Sequence, residues 1–207
     1  MQVVSPTELS RSRHHRRRQF WTHAKRALAA SLLLARTAGA SFAPPPAKPS
    51  DSDAKAAQLL NLGKFVRLSR QAPTGTSFDI CTLGHDAMAS SLEGIAGGAR
   101  INNLPVRVTP LKDISGAKSC AIVFLSAAES GRIREDLAIL GSADILTVSD
   151  APDFLEHGGM IQFVAVSGHV RFAVNLNAVN RTHLILSSEL LRVASSVSGR
   201  PPTGDLP

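Results

Sequence analysis

Two cysteines are all that this 207-residue chain contains, and no cluster of histidines accompanies them. That pairing is a poor zinc site, which needs four clustered nitrogen and sulfur ligands. His157, His169 and His183 are spread out without metal-ligand spacing and are expected at the surface. No metal and no cofactor is therefore expected. There is no Gly-x-Ser-x-Gly elbow, no Gly-x-x-x-x-Gly-Lys loop and no dinucleotide fingerprint, so the common nucleophile and phosphate cradles are missing. The one sustained apolar run of the first part of the chain, residues 27–35, is too short to span a bilayer. No dense basic run occurs after Arg36.

What the chain does have begins with charge. Arg11, Arg13, Arg16, Arg17, Arg18, Lys25 and Arg26 precede that apolar run, and Ala38-Gly39-Ala40 follows it. A basic segment, a short apolar segment and a small-x-small site form the layout of a secretory signal, expected over residues 1–40. Arg17-Arg18-Gln19-Phe20 also fits a twin-arginine pattern, so the export route stays open between the two. Residues 1–40 hold eight of the 23 Lys and Arg and one of the 16 Asp and Glu, leaving fifteen of each sign in the remainder. The basic balance belongs to the leader, and a domain without a basic patch does not suit nucleic acid. Residues 41–53, rich in Pro, Ala and Ser, read as a linker, and residues 198–207 as an unstructured tail.

Residues 54–197 are long enough for one domain with a real core. A helix is expected over 54–68, capped by Ser52 or Asp53, with Ala57, Leu60, Phe65 and Leu68 as core positions. A strand over 77–83 leads to Gly84-His85-Asp86, and a helix over 87–95 ends at Gly97-Gly98. Residues 105–110 alternate as a short strand, and 120–125 are continuously apolar, the pattern of a strand buried on both faces. Ser126 then caps a helix over 127–140, with Ile133, Leu137 and Leu140 buried. A strand over 144–148 is broken by Ser149-Asp150-Ala151-Pro152. Residues 160–166 and 169–176 flank Ser167-Gly168 as a tight hairpin. Asn177 caps a short helix, and Ser187 or Ser188 starts the last one. The sum is an α/β single domain: a mixed, mostly parallel sheet flanked by helices, with a C-terminal β-hairpin and a terminal helix.

In such a sheet Gly84, His85, Ser126, Ser149 and Asp150 converge on the carboxyl edge of the strands, where open sheets bind ligands. They are the ligand-binding candidates. A hydrolase reading of His85, Asp86 and a serine is weaker than the plainer one, in which Ser126 is a helix cap and Ser149-Asp150 a turn. No catalytic residue is assigned, and no enzyme is expected. Cys81 lies late in one predicted strand and Cys120 at the start of another. In an exported chain they form a disulfide closing a loop of about 40 residues, or they remain two buried thiols.

The segments Leu146-Thr147-Val148-Ser149-Asp150, Gly158-Gly159-Met160-Ile161, Arg171-Phe172 with Asn175-Leu176, and Ser187-Ser188-Glu189-Leu190-Leu191 together resemble the YfiR-like family of exported bacterial proteins. The resemblance continues upstream through Asn61, Lys64-Phe65-Val66, Ile80-Cys81 with Gly84, and Cys120 with Phe124-Leu125-Ser126. It departs where many members carry Trp-Pro after the first helix and this chain has Leu68-Ser69. The resemblance implies that Cys81 and Cys120 are bridged, and it marks Gly158, Gly159, Met160, Arg171, Phe172 and Asn175 as family-motif residues. It further implies a periplasmic regulatory protein acting by protein–protein contact. Its partner would be the periplasmic part of an inner-membrane signalling protein, a diguanylate cyclase or a sensor kinase. Repressing a cyclase would lower cyclic-di-GMP and change biofilm behaviour. The alternative is a periplasmic small-ligand-binding subunit of a sensor kinase or transport system. A homodimer is left open.

Overall fold

The computed structural model describes residues 49–68 and 76–199. The expected leader, the linker up to residue 48 and the chain from residue 200 lie outside them. Helix α1 (Asp51–Phe65) opens with a capping box. Ser50 Oγ accepts from Asp53 N–H at 3.1 Å, and the Asp53 carboxylate accepts from Ser50 N–H at 3.3 Å. Asp51 and Asp53 also favour the positive end of the helix. The helix therefore starts at Asp51 rather than at residue 54, and the expected linker gives up its last residues to the fold.

The buried stripe of α1 is Ala56, Leu59, Leu62 and Gly63, not the expected Ala57, Leu60 and Phe65. Ala57 and Phe65 are exposed, and Leu60 is only partly buried. The stripe turns on Gly63, where a β-carbon would stand 2.7 Å from Ile101 and 3.2 Å from the Phe78 ring. Only a bare backbone approaches that closely. After Phe65 the chain does not stay helical to residue 68 but forms β1 (Val66–Leu68), antiparallel to β9 (Leu184–Leu186). A β-branched residue beside a free partner strand favours the extended form.

The remaining elements in chain order are β2 (Phe78–Leu83), α2 (Ala87–Ala96), β3 (Arg100–Ile101), β4 (Leu104–Leu111) and a 3-10 turn (Ile114–Ser119). Then come β5 (Ile122–Leu125), a second 3-10 turn (Ala127–Arg132), α3 (Ile133–Leu140), β6 (Leu146–Ser149), β7 (Ile161–Val166) and β8 (His169–Asn175). The chain closes with α4 (Leu176–Val179), β9, α5 (Ser188–Val193) and β10 (Ser196–Ser198). The main sheet runs β10-β8-β7-β6-β5-β2-β4-β3. Strands β4, β2, β5, β6 and β7 are parallel, and β8 and β3 run against their neighbours β7 and β4. Numbered along the chain, the parallel strands lie in the 2-1-3-4-5 order of a doubly wound sheet, and the order reverses between β2 and β5. The expected mixed, mostly parallel α/β sheet is the sheet observed.

Two cores result, one on each face. Ile80, Ile122, Phe124, Leu146, Val148 and Phe163 meet α1, α2 and the C-terminal segments. Cys81, Val123 and Leu125 meet the first 3-10 turn, α3 and Phe154 on the other. All four side chains of β5 are buried, as its unbroken apolar run predicts.

Several local expectations shift. The helix over 127–140 is a 3-10 turn up to Arg132, because Ser130 and Gly131 are weak helix formers. The cap of α4 is Asn175, whose Oδ1 accepts from Ala178 N–H at 3.2 Å, rather than Asn177. Ser187 caps α5, accepting from Leu190 N–H at 3.2 Å. That helix stops at Val193, and Ser196–Ser198 form β10, parallel to β8. Ser and Val gain little in a helix, and the edge of β8 offers them a ladder. Ser198, expected in the tail, therefore belongs to the sheet. The hairpin is as expected: Ser167 and Gly168 have φ +50° and +73°, the paired positive values of a type I′ turn.

Candidate functional site

The carboxyl edge of the parallel strands gathers the ligand-binding candidates, and the side chains of Ser126, Ser149 and Asp150 there already hold protein. Ser149 is fully buried. Its hydroxyl donates to Leu125 O at 2.6 Å and accepts from Ala151 N–H at 3.0 Å. Ser126 Oγ accepts from Ala128 N–H at 3.2 Å, capping the turn after β5. Ser126 N–H donates to Leu83 O at 3.0 Å, which draws the two strand ends together at the reversal point. Gly84 lies in that closure, its β-position 2.8 Å from Ser126 Cβ. Asp86 caps α2 through Ala89 N–H at 2.8 Å, and His85 is exposed beside it.

Asp150 is the residue that does most at this edge. Its Oδ1 accepts from Ala127 N–H at 2.9 Å, and its Oδ2 pairs with Lys55 Nζ at 2.6 Å. Lys55 comes from α1, on the opposite side of the sheet from the turn that contains Ala127. Sequence reasoning missed Lys55, since nothing local marks one lysine of a solvent-facing helix turn as the partner of a distant aspartate.

The family-motif residues knit the C-terminal half. Gly159 N–H donates to Phe154 O at 3.0 Å, and Met160 N–H to Thr147 Oγ1 at 3.1 Å. A β-carbon at Gly159 would lie 2.2 Å from the ring of Phe154, which is fully buried. Asn175 Nδ2 donates to Leu155 O at 3.0 Å, so this side chain ties the 151–160 loop to the cap of α4. Arg171 donates to Val193 O at 3.2 Å, joining the hairpin to α5, and Phe172 is buried. Cys81 and Cys120 are bridged, with Cα atoms 5.9 Å apart, inside the second core.

The structure holds a cleft elsewhere, of about 440 Å³. It lies at the amino edge of the parallel strands, between α3, the Gly141-Ser142-Ala143 turn into β6, the loop before β7 and the end of α4. Leu137, Leu140, Ile145, Met160 and Ala178 supply its apolar lining, and Arg134, His157 and Arg181 its basic one. His157, expected at the surface, is half-buried, and its Nδ1 is enclosed with no hydrogen-bond partner among the described residues. On α3 the carboxylate of Asp136 is also buried and unpartnered by hydrogen bonds, with Arg132 Nη2 3.9 Å away. Burial raises its pKa; Arg132 opposes the shift, and Glu135 and Glu129 add to it. Among the described residues no group of three or more His, Cys, Asp or Glu could hold a metal, and no helix is long and apolar enough to cross a membrane.

An α/β domain of doubly wound order, stapled by one disulfide and with its edge polar groups used as caps, is the class these observations define. The sequence model of the YfiR/HmsC-like family matches residues 52–195, and the chain belongs to that family. No curated protein matches it in sequence. Among solved structures, the ABC domain in complex with L-Trp from Streptococcus pneumonia shares its fold, with 12% identity and a TM-score of 0.50 over 69% of this chain. A conserved domain protein from Vibrio cholerae O1 biovar eltor str. N16961 aligns with 11% identity and a TM-score of 0.48 over 69% of this chain. The chain spans 60% of the length of each of these two.

Proposed function

We propose that this chain is a periplasmic regulator that holds a membrane diguanylate cyclase inactive by binding its periplasmic part. Membership of the YfiR/HmsC-like family over residues 52–195, which is nearly the whole folded domain, carries the reading. The use of Ser126, Ser149, Asp86 and Asp150 as backbone caps supports a protein that works by its surface. A regulator of this kind acts by differential affinity: it shifts the cyclase only as far as it binds the inactive state more tightly. A hundredfold preference, about 2.7 kcal/mol, would leave a cyclase that is evenly poised on its own almost wholly inactive.

Capture from solubilised inner membrane by the oxidised protein tests the reading. Specific recovery of a diguanylate cyclase, whose activity falls when the protein is added back, is the expected result. Recovery of a sensor kinase or a transporter, with no cyclase, would overturn it. The second reading, a small-ligand-binding subunit of a kinase or transport system, is favoured by the cleft beside α3.

A further inference from the structure

The cleft at the amino edge of the sheet has the chemistry of a receptor for a small amphipathic anion. Its volume, about 440 Å³, falls in the range of small-molecule sites. Its lining contains no Asp or Glu. Neither of its two arginines forms an ion pair among the described residues, whereas Arg107, Arg132 and Arg192 each do. Arg181 is steadied by backbone carbonyls alone, Gly158 O at 3.3 Å and Asn177 O at 3.4 Å. Those contacts fix the guanidinium beside the cleft and leave its charge unanswered. Arg134 faces the same space from α3. Guanidinium groups favour planar oxyanions, which they engage through paired N–H donors.

The rest of the lining narrows the class. Leu137, Leu140, Ile145 and Met160 give an apolar wall that a bare inorganic anion would not use. His157 lines the same space, so its ring reports on whatever enters the cleft. We infer that this cleft binds a small organic anion, a carboxylate head on an apolar body, between Arg134, Arg181 and His157. The site lies on the opposite edge of the sheet from Gly84, Ser126 and Asp150. It does not rest on the identity of the membrane partner.

Hexanoate, inorganic phosphate and the neutral hexanol are the probes, added to the oxidised protein and followed by thermal unfolding and by the NMR signals of the histidine rings. Hexanoate at about ten times its dissociation constant should raise the melting temperature by on the order of 5 °C. It should also move the ring signals of His157 while leaving those of His85 and His169 in place. Hexanol should do neither, and phosphate should act more weakly than hexanoate. Both effects of hexanoate should be lost in Arg134→Gln, which removes no hydrogen bond of the fold, and in Arg181→Gln. The inference is overturned if hexanoate leaves His157 unmoved, if phosphate or hexanol acts as strongly, or if the response survives both substitutions.

Discussion

Lys55 Nζ lies 2.6 Å from Asp150 Oδ2, an ion pair that fastens the first turns of α1 to the end of β6. The same carboxylate holds Ala127 N–H at 2.9 Å, so one side chain joins elements from both faces of the sheet. Both partners are largely shielded, with side-chain exposures of 25% and 13%, which keeps the pair from being screened away as a surface pair would be. Lys55→Met should cost about 1 kcal/mol, and Asp150→Ala, which loses both contacts, about 2–3 kcal/mol. Urea unfolding of the two variants measures the order. Equal losses would show that the cap on Ala127 contributes nothing.

Gly159→Ala should be among the most damaging small substitutions in the domain. The added methyl has no room beside Phe154, whose ring is enclosed on all sides. Overpacking of this kind costs about 1–3 kcal/mol. The midpoint of chemical unfolding should fall accordingly, while Gly94→Ala, with open space around it and a helical backbone, should be neutral or stabilising.

Reduction of Cys81–Cys120 should lower stability by about 4 kcal/mol on the loop-entropy account, given a sequence separation of 39. Both residues are buried, at 2% and 4% exposure, so reduction of the folded protein should be slow. Unfolding curves with and without reductant measure the loss, and a Cys81→Ser, Cys120→Ser double variant should reproduce it. A drop confined to one of the two preparations would contradict the account.

Asp136 makes stability depend on pH. Its carboxyl is raised above 3.8, its ordinary value, chiefly by burial. The folded state therefore binds this proton more tightly than the unfolded state does. The penalty for ionising it is absent below the ordinary value, grows as pH rises from there, and is complete above the raised one. Asp136→Asn removes that component. The difference in melting temperature between the variant and the parent should widen in the variant's favour from about pH 4 to pH 7. A constant difference would mean that Asp136 titrates normally.

The sheet was legible wherever its signal was local. The unbroken apolar run of β5 and the Ser167-Gly168 turn specify those elements from their own residues. Contacts made at a distance were not. Ala54, Ala56, Ala57, Leu59, Leu60 and Leu62 make α1 apolar on more than one side, and the choice of buried face is made by Gly63 against Ile101 and Phe78. Strand β10 has no pattern of its own, since Ser-Val-Ser extends because Phe172 and Val174 offer carbonyls to Ser195 and Ser198. That Gly84, Ser126, Ser149 and Asp150 share one edge was legible, because strand ends follow from topology. The cleft at the other edge was not visible, because its lining comes from α3, β6, the loop before β7 and Arg181, and no spacing in the sequence links them.

Cellular cyclic-di-GMP is the measurement that tests the proposed role most directly. It should be read in a strain lacking this protein and in the same strain supplied with it in exported form. Repression of a membrane cyclase predicts a rise on deletion and a return to the starting level only when the protein reaches the periplasm. A level unchanged by deletion, or lowered by it, would contradict the repressor.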